Sequence, residues 1–309
     1  MILLMTPIFA PPPVWRDYFA REMPEIELRF WPETGNPAEI DAAAISRLPE
    51  NALRALPNLK LIISLFAGQD LLLSDKTLPA GVPIVRAAHP AGDEMMTETV
   101  LLHVLRHHRQ LPELLLAQQR AEWAAPQRLR TRDRKVGVMG LGPIGLAAAQ
   151  ALRAQGFEVA AWVRRPREVE GIEVFHGQDQ LAAFLGRSEI VVNLLPLTPE
   201  TEDILDRKAF AVLPRGASVI NLGRGQHVVD ADLVAALDEG QLAAATLDVF
   251  RREPLPKDDP LWHHPRVTVM PHAARGQFPS IIAPLICAHL RRLQRGEPMT
   301  DRVDLAAGY

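Results

Sequence analysis

Residues 136–166 read VGVMGLGPIGLAAAQALRAQGFEVAAWVRRP, and this stretch constrains the fold more than any other part of the chain. An apolar run ends at Gly140, glycines recur at Gly142 and Gly145, and Pro143 and Ile144 open a helix-forming stretch. A second apolar run then ends at Val163. The three glycines serve different ends, which are a tight turn, a close approach of backbone to a ligand, and close packing of helix on strand. Proline suits the first helical position, where its missing N–H costs nothing. A Gly-x-Gly-x-x-Gly spacing alone recurs by chance. Set between a strand and a helix, and followed by another strand, it specifies a right-handed βαβ unit on a parallel sheet.

The amino end of such a helix attracts anions, and in this motif the anion is the pyrophosphate of a dinucleotide. A carboxylate at the end of the second strand would bind the ribose 2′-hydroxyl of NAD. Here Arg164 stands 19 residues past Gly145, near the roughly 20 expected, and Arg165 follows it. Two guanidinium forks suit a phosphate dianion where a carboxylate would repel it. The expected cofactor is therefore NADP(H), with NAD(H) possible; the alternative reading leaves both arginines solvated.

A chain of 309 residues exceeds what one hydrophobic core comfortably serves. From residue 1 to 97, short apolar runs (ILLM, IELRF, LKLIISLF, VPIVRA) alternate with helix-like stretches and proline-rich turns, as in a smaller flavodoxin-like α/β substrate domain. Residues 98–279 repeat strand and helix as a doubly wound α/β nucleotide domain of the Rossmann type, with strands VGVMG, EVAAWV, EIVVNLL, ASVINL, AATLDVF and RVTVM. A helix opens at Asp230, read as its cap, and closes at Gly240. A final helix near 279–295 returns to the first domain, which residues 280–309 complete, and Pro284 is expected to bend it or delay its start.

Ligands of open α/β sheets gather beyond the carboxyl ends of the strands. Three polar residues follow strands there: Arg224 in NLGRG, Glu253 in DVFRREPLP and His272 in MPHAA. Singly, each reads as a loop residue, a turn residue or a cap. Together they match what reduction of a 2-oxo acid needs beside a hydride donor: a cation for the carboxylate and an acid for the carbonyl oxygen. A carboxylate beside an imidazole orients it and favours its protonated form, the role open to Glu253.

Other features exclude classes. A net charge of -3 gives no general pull toward nucleic acid, and the basic run Arg128–Lys135 lacks interleaved aromatics, so no nucleic-acid partner is expected. No run of large apolar residues is long enough to span a bilayer, and the apolar start breaks at Pro7, so neither membrane nor export is expected. The lone Cys287 reads as a core residue in a reducing compartment, the cytoplasm. His103 and His107 stand four apart on a helical stretch, with His108 beside them. No carboxylate or cysteine completes a metal set, so no metal is expected and a polar or subunit-facing helix surface is preferred.

The motifs GLGPIG, NLLPLTPET, NLGRGQHVVDADLVAALDEGQL, LDVFRREPLP and PLWHHPRVTVMPHAA, in this order, resemble those of the D-isomer-specific 2-hydroxyacid dehydrogenases. The stretch WVRR and the ending VDLAAGY are most similar to the glyoxylate/hydroxypyruvate reductase A branch. The resemblance implies an NADPH-dependent reductase of small 2-oxo acids, with a cleft that closes over substrate, acting as a homodimer. It implies Arg224 as substrate binder, Glu253 as partner of the acid and His272 as acid/base. It further implies Leu195, Pro196, Leu222 and Asp248 along the cofactor, Asp248 near the nicotinamide amide. LFAGQD resembles the family's substrate loop, giving Phe66, Ala67 and Gly68, but Phe66 stands where glycine is usual and resists positive φ. Arg275 and Gln277 likewise replace small and hydroxyl residues after His272. A competing class is a nicotinamide-sensing interaction protein on the same fold without significant catalysis. A methyltransferase with a related glycine loop ranks last, because it has no use for Glu253, His272 or the paired arginines.

Overall fold

Apolar runs separated by turn residues become two all-parallel sheets, one in each of two units: Met1–Gly92 with Gln277–Tyr309, and Asp93–Gly276. The computed structural model describes residues 1–46, 48–66, 68–87, 91–126, 128–276 and 278–305.

In the first unit the strands are β1 (Ile2–Met5), β2 (Glu27–Phe30), β3 (Ile40–Ile45), β4 (Leu61–Ser64) and β5 (Ile84–Arg86), ordered β2-β1-β3-β4-β5. Both faces are covered, as parallel sheets require. Leu3, Met5, Leu61 and Ile63 pack with Trp15, Phe19, Ile282, Ile286 and Leu290, while Leu4, Ile45 and Ile62 pack with Leu53 and Leu56 on the other side. The strand β3 has no counterpart among the expected runs, because Ala42, Ala43 and Ala44 carry weak strand propensity. Their small side chains are fully buried between the two layers.

The last helix of this unit runs without interruption from Pro279 to Arg295, so Pro284 neither delays its start nor breaks it. Pro284 faces solvent, and only the bond its N–H would have made to the Ser280 carbonyl is lost. Burial of Ile282, Ala283, Ile286, Cys287 and Leu290 on the opposite face outweighs that loss.

The second unit carries β6 (Lys135–Met139), β7 (Glu158–Val163), β8 (Glu173–His176), β9 (Ile190–Asn193), β10 (Ala217–Asn221), β11 (Leu242–Leu247) and β12 (Val267–Val269). Their order is β12-β11-β10-β9-β6-β7-β8. Chain direction reverses beside β6: the chain moves from β6 through β7 to β8 on one side, then returns to β9 on the other. The crevice at such a reversal is where α/β sheets take ligands. Val136, Val138 and Val192 pack under the helices Ala91–His108 and Pro143–Ala154, whereas Met139, Trp162 and Val219 face Phe184, Phe210 and Leu233. The helix Asp230–Asp238 begins one residue earlier than the expected cap implies, with Val229 at the cap position and Asp230 inside the first turn. Gly240, at φ +68, follows its end as expected.

Candidate active site

Because all seven strands are parallel, their carboxyl ends share one edge, and every loop discussed for the second unit leaves from it. After β6, Gly140 turns the chain at φ +95, a conformation that L side chains rarely adopt. A Cβ on Gly145 would lie 1.9 Å from the Gly140 carbonyl oxygen, so only glycine lets the helix start this close to the loop. A Cβ on Gly142 would meet nothing within 4 Å. The space above the second glycine is therefore open, and the helix Pro143–Ala154 points its amino end there with no side-chain cap and no acidic residue in its first turn. An uncapped helix end beneath open space fits a pyrophosphate.

Leu195 and Leu222 are buried at the ends of β9 and β10, and Pro196 is exposed beside them. Leu195 also faces Gly140, since a Cβ there would lie 3.4 Å from its Cδ2. Arg164 and Arg165 follow β7 and are exposed. Arg164 is close enough to Glu200 to help hold that carboxyl below its usual range, after the Thr198 hydroxyl and the Glu200 backbone amide. Sequence reasoning missed Arg167, whose guanidinium donates to the Leu141 carbonyl inside the glycine loop. Its position beyond Pro166 hid it, because the motif ends at the strand.

Arg224 is half-buried on the loop after β10, between two glycines that both abut neighbouring groups. A Cβ on Gly223 would lie 2.9 Å from His227 Nδ1, and one on Gly225 would lie 1.9 Å from the Phe250 carbonyl carbon. The Arg224 loop is thus in backbone contact with the loop that carries Glu253. Arg224 also donates to the Gly223 carbonyl at 2.8 Å.

His272 and Glu253 meet directly: Nδ1 of the imidazole lies 2.7 Å from Glu253 Oε2. The other oxygen, Oε1, accepts from the Phe250 amide at 3.0 Å, so the carboxylate is fixed by its own turn. His272 sits in the left-handed region at φ 52, uncommon for a residue with a side chain. Asp248 holds it there. Its carbonyl accepts the His272 amide at 2.9 Å, and its carboxylate accepts those of Ala273 and Ala274 at 2.7 and 3.1 Å. Burial pushes the Asp248 carboxyl above its usual range, while the two amides pull the other way. Geometry therefore gives Asp248 a hold on the His272 turn that the motif alone did not reveal.

In the first unit, Phe66 lies outside the positive-φ region. Its ring meets Phe9 edge-on at 5.8 Å, and its carbonyl accepts from Gln69 Nε2 at 2.7 Å. Gly68 is half-buried, and Ala67 lies outside the described residues, as does Gln277. Arg275 is half-buried. His103, His107 and His108 do not form a polar helix surface: all three are buried. His107 Nε2 lies 2.9 Å from Thr246 Oγ1, and His108 stacks edge-on against Phe157. Among the described residues no group of three His, Cys, Asp or Glu side chains is placed to hold a metal.

A model of the NAD binding domain of the D-isomer specific 2-hydroxyacid dehydrogenases matches residues 101–274. A relative named glyoxylate/hydroxypyruvate reductase A, from Serratia proteamaculans, is 40% identical over 96% of both chains, and one of the same name from Yersinia enterocolitica is 36% identical over the same shares. A D-isomer specific 2-hydroxyacid dehydrogenase from Xanthobacter autotrophicus, solved with NADPH and MES, superposes with a TM-score of 0.94 at 40% identity, covering 100% of this chain and 99% of that one. An NADPH-dependent glyoxylate/hydroxypyruvate reductase from Sinorhizobium meliloti, solved with NADP and sulfate, gives a TM-score of 0.89 at 34% identity with the same coverage. Fold, glycine loop, paired His272 and Glu253, and these likenesses converge: the chain belongs to the D-isomer-specific 2-hydroxyacid dehydrogenase family.

Proposed function

We propose that this protein is an NADPH-dependent reductase of small 2-oxo acids such as glyoxylate and hydroxypyruvate. The observation that carries the reading is the 2.7 Å contact between His272 Nδ1 and Glu253 Oε2, on the sheet edge that bears the glycine loop. Relatives named glyoxylate/hydroxypyruvate reductase A, and neighbours solved with NADPH or NADP, support it. The glycine loop with Pro143 and Ile144 would hold the pyrophosphate, Arg164 and Arg165 would bind the 2′-phosphate, and Leu195, Pro196, Leu222 and Asp248 would hold the rest of the cofactor. When bound, the reduced nicotinamide supplies the hydride that adds to the carbonyl carbon.

Arg224 binds the substrate carboxylate through its planar fork. Phe66, Ala67 and Gly68 are proposed as further substrate-binding residues on the strength of the family resemblance. With Nδ1 engaged by Glu253, the imidazole presents Nε2, which gives its proton to the carbonyl oxygen as negative charge develops there. Glu253 orients the ring through its contact with Nδ1. A nicotinamide sensor without catalysis has no use for this pair.

Steady-state reduction of glyoxylate, hydroxypyruvate, pyruvate and a bulkier 2-oxo acid, each with NADPH and with NADH, tests the reading. Turnover of the two smallest acids with at least a tenfold NADPH advantage is expected. That ratio is about 1.4 kcal/mol, within reach of a charge-assisted phosphate contact. An NADH preference would remove Arg164 and Arg165 from cofactor recognition. His272→Ala should abolish turnover while NADPH still binds; undiminished turnover would remove His272 from the mechanism.

The protein acts as a homodimer in the cytoplasm. Leu102, Leu105, Leu111, Leu115 and a fully exposed Trp123 form an apolar run along the helices Ala91–His108 and Leu111–Gln119 and the turn after them, and a second copy of the chain covers it. The single, buried Cys287 supports a reducing compartment. No helix among the described residues is long and apolar enough to cross a membrane. Light scattering should give twice the chain mass, and Leu102→Asp with Trp123→Ser should give one.

A further inference from the structure

The structure assigns a positioning role to His227, a fully buried histidine outside the set of candidate catalytic residues. It sits three residues past Arg224, and its ring bridges two segments of the site. Nδ1 lies 3.1 Å from the Arg224 amide and 2.8 Å from Asn193 Nδ2. A backbone amide only donates, so Nδ1 accepts, and the ring proton is on Nε2. That nitrogen faces the carbonyl of Pro196 at 3.3 Å, the acceptor this tautomer needs.

The neighbouring asparagines agree with this arrangement. Asn193 and Asn221 end the adjacent strands β9 and β10 and pair in register. One hydrogen of Asn193 Nδ2 goes to Asn221 Oδ1 at 2.9 Å and the other to His227, while Asn193 Oδ1 accepts the Leu195 amide at 3.2 Å. Asn221 closes the circuit. Its Oδ1 accepts the Gly223 amide at 3.2 Å, and its Nδ2 donates to the Arg224 carbonyl at 2.9 Å. Both main-chain groups of Arg224 are thus fixed by buried side chains, and the same circuit fixes the Leu195–Pro196 segment.

This inference rests on the proposed function, in which Arg224 receives the substrate carboxylate and Leu195 and Pro196 line the cofactor. His227 ties those two surfaces together: its δ nitrogen sets the substrate cation and its ε nitrogen sets the cofactor wall. Neither nitrogen touches substrate. Asparagine places an oxygen near the δ position, and glutamine can place an N–H near the ε position, so each substitution keeps one of the two ties.

The test measures KM for glyoxylate, kcat, NADPH Kd by fluorescence and thermal melting for Arg224→Gln, His227→Phe, His227→Asn and His227→Gln. His227→Phe should raise both KM and Kd, KM by about tenfold. His227→Asn should return KM to within about twofold of the parent while Kd stays weakened, and His227→Gln should show the reverse. A purely structural histidine would lower the melting temperature and leave KM and Kd of the folded protein unchanged, which overturns the assignment. Equal shifts of both constants in the Asn and Gln variants also overturn it, and that comparison stands if His227→Phe does not fold. Arg224→Gln separates the two levels. Unchanged KM there refutes the substrate-binding role of Arg224 itself, whereas a raised KM with His227→Phe at parental values refutes only the role of His227.

Discussion

Gly142 and Gly145 look alike in the motif, yet the structure asks opposite things of them. A methyl on Gly145 collides with the Gly140 carbonyl, whereas one on Gly142 enters space that protein atoms leave open. Gly145→Ala should cost about 3 kcal/mol of stability through overpacking. Gly142→Ala should melt as the parent does and bind NADPH at least tenfold more weakly, which calorimetry and cofactor titration can separate. Asp248 makes a similar point. Asp248→Asn can keep Oδ1 as acceptor for both amides but replaces Oδ2 with an N–H that opposes the amide of Ala274, so the His272 turn loosens. We expect kcat to fall by at least tenfold with a smaller change in NADPH affinity. The loops that carry Arg224, Glu253 and His272 were readable from sequence because glycine and proline mark them. His227 was not: inside GQHVVD a fully buried histidine reads like any polar residue, and only the three-dimensional circuit with Asn193 and Asn221 distinguishes it.

Strands built from β-branched runs were legible, EVAAWV to its ends, because both sheet faces demand apolar residues. The strands β3 and β8 were not. An alanine triplet lacks strand propensity, and the four residues of β8 lie at the sheet edge, where half-buried side chains leave no apolar signature. The delayed start that Pro284 suggested did not follow, for a related reason. The sequence shows that Pro284 interrupts a hydrogen-bond ladder but not that it does so on the solvent face, where the amphipathic helix survives one missing bond. Pro284→Ala restores the donor to Ser280 without emptying any packed volume, and should raise stability by about 1 kcal/mol in urea unfolding.

For the whole molecule, three buried histidines couple folding to acidity. Burial pushes His103 down to about 4 and His107 down to about 3, and Arg106 adds to both; burial also lowers His108. An unfolded histidine protonates near 6.5, so below that pH the unfolded chain binds more protons than the folded one. The stability these groups contribute is complete above about 6.5 and is lost as pH falls toward 3. Urea midpoints should therefore decline steadily across that window, by a few kcal/mol in total. His107→Gln should flatten the decline while Thr246 keeps a polar neighbour, and a slope unchanged in that variant would place the acid sensitivity elsewhere.

Arg224, Glu253 and His272 leave from β10, β11 and β12, three neighbours spaced about 5 Å apart by main-chain bonding. The spacing of the strands is inherited from peptide groups, which every sequence shares, while buried side chains such as His227 and Asp248 fix the turns that follow them. Lineages can therefore replace most of the residues along these strands and still keep the three loops side by side. The first unit contributes none of these strands, so a departure there such as Phe66 leaves their spacing untouched.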